Sequence, residues 1–238
     1  ESGGATETQR GRDLNRGKVS AKDYDALHLS RERGLGGTAQ SWGTELGGDE
    51  IGTMYVPLDP WDFEKREWIP NSGWPFGYSD LEPFYRRAQK IIGAGDFAYA
   101  GDAWQSDDQP ALSLNAERLL TKVYQFGLRT RFTSDLIEEL RRDANVQIIT
   151  DATVLSLEAD ETVRSVQKVH VTSGPDRRWQ VEASVVVLAG GGIENARMLL
   201  LSNDRQAEGL GNQHDIVGRY FMDHPIVRTG VLVPNDLS

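Results

Sequence analysis

Residues 185–202 read VVVLAGGGIENARMLLLS, and this stretch decides the predicted fold. It begins with an apolar run at residues 185–189, continues through three glycines and ends in an apolar helical pattern. A strand, a glycine turn and a helix in this order are typical of a parallel βα unit buried on both faces. The free N–H groups at such a helix start favour anionic ligands. The turn could hold a nucleotide or be an ordinary βα turn. The sequence alone does not decide between the two, because GGG does not match the GxGxxG pattern.

Strand patterns also occur upstream of this stretch. They lie at residues 146–149, 153–158, 163–172 and 179–181. The turn residues Gly174, Pro175 and Asp176 separate the last two segments. We predict an α/β fold in which residues 146–149 and 185–189 belong to a parallel sheet, with an antiparallel β-hairpin nearby.

Helices are predicted where capping residues precede apolar residues at helical spacing. Ser79 is the predicted N-cap of one helix, and Gly93 is its predicted end. A Thr-Ser pair before residues 135–142 is predicted to cap a second helix. Residues 1–30 show little periodicity, so we predict an extended loop there.

A second glycine-rich loop lies at residues 33–43, which read RGLGGTAQSWG. Closely spaced glycines indicate tight turns or close approach to a ligand, and the alternative is a turn in which Trp42 fills a core. The chain opens on ESGG, and a carboxylate such as Glu1 binds a ribose diol when it ends a second parallel strand in dinucleotide folds. Because the chain opens on this turn without Met, we expect it to be an internal piece of a longer protein.

In their order along the chain, these motifs resemble those of the glucose–methanol–choline (GMC) family of FAD-dependent oxidoreductases. Further matching segments are residues 62–68, 72–76, 81–85 (LEPFY), 152–154 (ATV) and 217–225 (VGRYFMDHP). The resemblance covers nearly the whole chain, and the motifs are specific together although each is weak alone. It implies an incomplete FAD-binding Rossmann-like domain, with the parallel sheet and the β-hairpin, followed by the start of a substrate-binding domain.

The resemblance also implies a division of the chain into segments. Residues 1–48 and 145–218 would be parts of the FAD-binding domain. Residues 49–144 would form an excursion or lid with a helical segment, and residues 219–238 would begin the substrate-binding domain.

By resemblance, FAD would contact both glycine loops. Glu1 would hold the adenosine ribose, residues 36–38 would lie along the pyrophosphate, and residues 41–42 would lie near the isoalloxazine ring. The backbone at Val154 would meet the adenine, and the turn at residues 189–191 would lie beside the adenosine half. The predicted cofactor-binding residues are Glu1, Gly3, Gly4, Arg33, Gly36, Gly37, Thr38, Ser41, Trp42, Val154, Ala189, Gly190, Gly191 and Asn195.

The resemblance assigns no catalytic residue to this chain. The family's GxGxxG and its catalytic His with a His or Asn partner belong to segments that we expect to lie outside the chain. Some sugar-oxidising members attach flavin covalently to a His in the second loop, where this chain has Ser41, so we expect non-covalent FAD. His224 matches a family motif, with a structural hydrogen bond as its favoured role. His170 is expected to be structural, and His28 and His214 are expected at the surface.

Composition narrows the classes of function. The net charge of −10 argues against a nucleic-acid partner. The absence of cysteine excludes disulfides and thiolate chemistry, and it leaves the compartment open, with a cytoplasmic location slightly favoured. No apolar run has the length of a membrane span, no G-x-S-x-G elbow indicates a hydrolase, and no acidic or His cluster has metal-ligand spacing.

Three hypotheses about function follow. In the first, the chain is part of an FAD-dependent oxidoreductase that oxidises a CH–OH group of a small alcohol or sugar. Hydride passes from the substrate to flavin, and the electron acceptor is left open. The alternative is a catalytically inert, truncated flavin-domain fragment that needs missing segments or a complementing chain. A third class, the flavoproteins with two dinucleotide sites, would need an internal NAD-binding GxGxxG, which the sequence lacks.

Overall fold

The computed structural model describes residues 1–21, 24–46, 49–108, 110–112, 114–115, 117–223 and 230–231, with the backbone alone at residues 44–46 and 49–51. The chain folds as two compact units, Glu1–Thr150 and Asp151–Ser238. The four segments predicted by resemblance remain a prediction.

The first unit combines short helices with two antiparallel strand pairs. Its elements in chain order are α1 (Gln9–Leu14), α2 (Leu27–Ser30), a 3₁₀ helix (Gly37–Ser41), β1 (Thr44–Leu46), β2 (Asp49–Ile51), β3 (Met54–Tyr55), a 3₁₀ helix (Pro60–Phe63), α3 (Tyr78–Ile92), a 3₁₀ helix (Gly101–Trp104), β4 (Gln125–Phe126), a π-helical turn (Arg131–Asp135) and α4 (Leu136–Arg142). Strand β1 pairs with β2, and β3 pairs with β4.

The prediction of an extended loop over residues 1–30 is wrong, because it missed α2 at its end and α1 within it. The hydroxyl of Thr8 caps this helix by accepting a hydrogen bond from the Gly11 N–H at 3.1 Å. Gly11 is the buried position of the helix, and a Cβ there would lie 2.8 Å from the Arg33 carbonyl oxygen. Since α1 packs through a glycine, it has no apolar stripe for periodicity to detect.

Helix α3 ends at Gly93 as predicted, but it begins one residue before the predicted cap. Gly93 has φ 74°, the left-handed conformation typical of a helix C-terminus. At the other end Gly77 is the N-cap, and its N–H donates to the Asp80 carboxylate at 2.8 Å. Ser79 therefore lies within the first turn.

The predicted Thr-Ser cap of α4 is also wrong. The hydroxyls of Thr133 and Ser134 donate to the carbonyl oxygens of Arg129 and Thr130, both at 3.2 Å. Both side chains bond back to the preceding turn, as Ser and Thr do inside helices. The π-helical turn therefore runs directly into α4.

The second unit contains a three-stranded antiparallel sheet and one helix. Strand β5 (Thr153–Ala159) pairs with β6 (Val166–Gly174), and β6 pairs with β7 (Arg177–Val181) around the predicted turn. Helix α5 (Gly192–Leu201) packs on β5, where the buried Leu157 N–H donates to Ser202 Oγ at 2.9 Å. The predicted β-hairpin is thus present.

The parallel sheet stays a prediction, because neither of its expected segments is paired as a strand. Residues 146–149 and 185–189 are outside the sheets, which are all antiparallel in the described part of the chain. Val185 and Val187 are 77% and 79% exposed, although an apolar run of this kind is typical of a buried strand. A strand needs a hydrogen-bonded neighbour, and no segment of the second unit pairs with this run among the described residues.

Candidate cofactor site

The two predicted flavin motifs of the first unit are in direct contact. A Cβ on Gly3 would lie 2.2 Å from the Arg33 carbonyl oxygen, so only a glycine lets the backbones approach this closely. The Leu35 N–H donates to the Gly4 carbonyl oxygen at 3.0 Å. Residues 30 positions apart are therefore brought together at one place.

Arg33 joins this contact to α1. Its Nε donates to Asn15 Oδ1 at 2.7 Å, and its Nη1 donates to Ser2 Oγ at 3.0 Å. Asn15 is 7% exposed and donates through Nδ2 to the Arg31 carbonyl oxygen at 2.8 Å. Sequence reasoning missed Asn15, because an Asn after a short polar helix has no signal that separates an anchor from a surface residue.

Glu1 lies at the exposed rim of the same contact. Its carboxylate accepts a hydrogen bond from the Gly3 N–H at 2.8 Å, and its backbone nitrogen lies 3.0 Å from the Ile149 carbonyl oxygen. A carboxylate has about four acceptor positions. Glu1 can therefore accept further hydrogen bonds from a diol.

The second glycine loop forms a tight turn before its 3₁₀ helix. Gly36 and Gly37 have φ 97° and 56°, so the loop uses the left-handed backbone that glycine allows. The side chain of Gln40 donates to the Leu35 carbonyl oxygen across this turn. Trp42 follows and is 54% exposed, so it does not fill a core as the alternative interpretation requires.

A π-helical turn lies against this loop, and sequence reasoning did not anticipate it. Residues Arg131–Asp135 pack against the 3₁₀ helix Gly37–Ser41. Short π-helical turns are rare and occur frequently at functional sites. The turn sits before α4, at the Thr-Ser pair that looked like a cap, and its residue types carry no π-helical signature.

The glycine turn of the second unit is held by Asn195. Asn195 Oδ1 accepts from the Gly190 N–H at 2.9 Å, and its Nδ2 donates to the Leu188 carbonyl oxygen at 3.1 Å. Gly191 is the N-cap of α5, with φ 89° and ψ 161°. A Cβ on Gly191 or Gly192 would meet nothing within 4 Å. Bare backbone is therefore open at the N-terminus of a ten-residue helix, which suits an anionic group.

The remaining predicted cofactor residues of the second unit are Val154 and Ala189. Val154 lies in β5 opposite Val171, next to an irregularity in the pairing, and is half-buried. Ala189 is exposed at the start of the glycine turn. The predicted residues thus form two groups, one in each unit.

His170 lies against a carboxylate in the sheet of the second unit. His170 Nε2 lies 2.9 Å from Glu158 Oε2, and Lys168 Nζ donates to Glu158 Oε1 at 3.3 Å. Hydrogen bonds from His170 and then Lys168 lower the pKa of the Glu158 carboxyl. Within the described ranges, no group of three or more metal-ligating side chains is present. His224 lies outside them.

The chain is similar to the fructose dehydrogenase large subunit of Gluconobacter japonicus, with 38% identity over 80 residues. The matched region makes up 33% of this chain and 14% of that protein, so the chain covers a small part of its relative's length. No family model matches the chain. This partial similarity is to a subunit of a dehydrogenase, and it suggests a dehydrogenase-type oxidoreductase. No helix in the described part of the chain has the length and apolar character of a bilayer span.

The open turn at α5 predicts different outcomes for two adjacent glycines. We expect Gly191→Ala to lower the free energy of unfolding by about 1–3 kcal/mol, because φ 89° and ψ 161° are nearly restricted to glycine. Gly192→Ala is the matched control and should change it by less than about 0.5 kcal/mol, since this residue begins the helix and its Cβ has free space. Urea unfolding of the two variants measures the difference. Equal effects would show that backbone conformation at Gly191 is not the cause.

Proposed function

We propose that this chain is part of an FAD-dependent CH–OH oxidoreductase of the GMC type, acting on an alcohol or sugar. The contact of Gly3 with the Arg33 carbonyl carries the proposal, because it joins two distant motifs that resemble FAD-binding segments. The relative's name, fructose dehydrogenase large subunit, supports a sugar as the substrate class and a further subunit as a partner. An incomplete Rossmann-like domain with a parallel sheet remains the proposed fold.

Each unit contains residues that suit part of a dinucleotide. The free acceptor positions of Glu1 suit ribose hydroxyls, and the glycine backbone at residues 36–37 lets a pyrophosphate approach. At α5, Gly191 and Gly192 offer unobstructed backbone at the positive end of the helix. Asn195 would act indirectly by holding the Gly190 turn.

Bound FAD would supply the hydride acceptor for oxidation of the substrate CH–OH group. The chain's own residues would bind and orient the cofactor. No described residue is assigned the base that removes the alcohol proton, and the electron acceptor remains open. The proposed activity is therefore that of the whole enzyme of which this chain is a part.

Non-covalent attachment of the flavin has a direct test. Ser41 occupies the loop position of the family's flavin-linked His, and a hydroxyl does not provide the imidazole nitrogen of that linkage. We expect acid precipitation of the flavin-loaded full-length enzyme to leave all yellow colour in the supernatant. Flavin absorbance retained in the washed pellet would contradict this expectation.

A visible spectrum separates the proposal from the inert-fragment alternative. We expect residues 1–238, mixed with FAD and freed of excess by gel filtration, to retain the visible absorbance of bound flavin. Serum albumin treated in the same way is the control for adventitious binding. Loss of all flavin on the column would favour a fragment that needs a complementing chain.

A further inference from the structure

Glu32 is hydrogen-bonded to both ends of the 3₁₀ helix Gly37–Ser41, which is called the turn below. Its backbone N–H donates to Thr38 Oγ1 at 3.2 Å, and its carboxylate accepts a hydrogen bond from Ser41 Oγ. A 3₁₀ helix has poorer internal hydrogen bonds than an α-helix, so contacts from outside matter more for its shape. We propose that Glu32 is a positioning residue that holds this turn in the shape required for flavin, an inference that rests on the proposed function.

Sequence reasoning assigned the loop to the cofactor without assigning any role to Glu32. Thr38 and Ser41 are predicted cofactor residues, and both direct their hydroxyl groups at Glu32. Their conformations therefore depend on one residue that precedes the loop. Glu32 acts through these two side chains and through the backbone between them, without a contact to flavin of its own.

The charges around Glu32 determine how this support depends on pH. Burial, and then the charge of Glu7, raise the pKa of the Glu32 carboxyl above its ordinary value of 4.5. Glu7 is itself paired with Arg12 at 2.6 Å. The neighbouring Arg31 donates to Tyr24 and to the Ser30 carbonyl oxygen. Arg33 donates to Asn15 and Ser2, as described above.

The π-helical turn packed on the loop adds two further charges. Arg131 pairs with Glu139 at 2.6 Å, and the Asp135 carboxylate accepts a hydrogen bond from Thr130 at 2.8 Å. Because the pKa of Glu32 is raised on folding, its protonated form is favoured in the folded loop. Its stabilising contribution is complete below pH 4.5 and is lost as the pH rises through the raised pKa.

Hydrogen–deuterium exchange of residues 37–42 tests this support without any cofactor. After correction for intrinsic exchange rates, Glu32→Ala should lower protection roughly 5- to 10-fold, the loss of about one hydrogen bond. Glu32→Gln keeps an acceptor for Ser41 and removes the charge, so its protection should be independent of pH. The wild-type loop should lose protection as the pH rises from 4.5 through the raised pKa of Glu32. Glu64→Ala, at an exposed site, is the control.

Titration with FAD, followed by flavin fluorescence, tests the role toward the cofactor. We expect Glu32→Ala and Ser41→Ala each to weaken FAD binding about 10-fold, and the double variant to be no weaker than either, because they remove the same contact. Glu32→Gln should bind at least as tightly as the wild type. Ser41→Ala keeps the test valid if Glu32→Ala does not fold, as judged by circular dichroism.

The outcomes separate the two proposals. FAD binding by the wild type with unchanged affinity in Glu32→Ala and Ser41→Ala would overturn the role of Glu32 alone. No FAD binding by the wild type would overturn the proposed function of this chain and, with it, the flavin role of Glu32. Additive losses in the double variant would show that the two residues act separately, which also contradicts the inference.

Discussion

Replacement of Gly3 by alanine should lower FAD affinity about 10- to 100-fold, since overpacking of this kind costs roughly 1–3 kcal/mol. The new Cβ would lie 2.2 Å from the Arg33 carbonyl oxygen and 2.6 Å from the Gly34 nitrogen. Both atoms are backbone, so neither can move aside by a rotamer change. The segments at residues 1–4 and 33–43 must separate, and the site would lose the contact on which the proposed function rests.

Gly17→Ala is the matched control for this experiment. Gly17 lies in the same unit and has open space within 4 Å of the position of a Cβ. Its FAD affinity and urea midpoint should equal those of the wild type. The prediction fails if Gly3→Ala binds FAD as tightly as Gly17→Ala does while remaining folded.

Gln89→Leu should have the largest effect on stability, because Gln89 is 1% exposed and its side chain makes several hydrogen bonds. Its Nε2 donates to the carbonyl oxygens of Gly95 and Asp96 at 2.6 and 2.8 Å, and its Oε1 accepts from the Tyr99 hydroxyl at 2.7 Å. Burial, and then Tyr55, raise the pKa of Tyr99, so its hydroxyl is a neutral donor at physiological pH.

Leucine would leave the Gly95 carbonyl and the Tyr99 hydroxyl without this partner. The Asp96 carbonyl would keep the hydrogen bond from Gln125 Nε2 at 2.7 Å. The partly buried Gly95 carbonyl and Tyr99 hydroxyl and the buried Gln125 Oε1 would each lose a partner, which costs about 3 kcal/mol in total. We expect the free energy of unfolding of the first unit to fall by that amount in urea titrations followed by tryptophan fluorescence.

The exposed Gln105 offers the matched control for this variant. Gln105→Leu makes the same chemical change at the surface and should alter stability by less than about 0.5 kcal/mol. A loss below about 1 kcal/mol in Gln89→Leu would mean that the unit relaxes to satisfy the freed groups.

Local sequence patterns predicted the secondary-structure elements that depend on neighbouring residues in the chain. The strand patterns at residues 163–172 and 179–181, with the turn at Gly174 between them, predicted the hairpin, and Gly93 predicted the end of α3. Local prediction failed where a side chain could form a hydrogen bond with either of two nearby backbone groups. The hydroxyls of Thr133 and Ser134 donate to preceding carbonyl oxygens and do not cap α4. Residue type alone does not decide between these two kinds of hydrogen bond.

The candidate site divides in the same way. The sequence by itself determined which residues offer bare backbone, hydroxyl groups and a carboxylate, because these are properties of residue types such as Gly191, Thr38 and Glu1. Only the tertiary structure showed that Gly3 meets the Arg33 carbonyl, that Asn15 accepts a hydrogen bond from Arg33, and that Glu32 is hydrogen-bonded to Thr38 and Ser41. These contacts depend on backbone approach and on buried hydrogen bonds between distant segments, and no local pattern of side chains encodes such pairings.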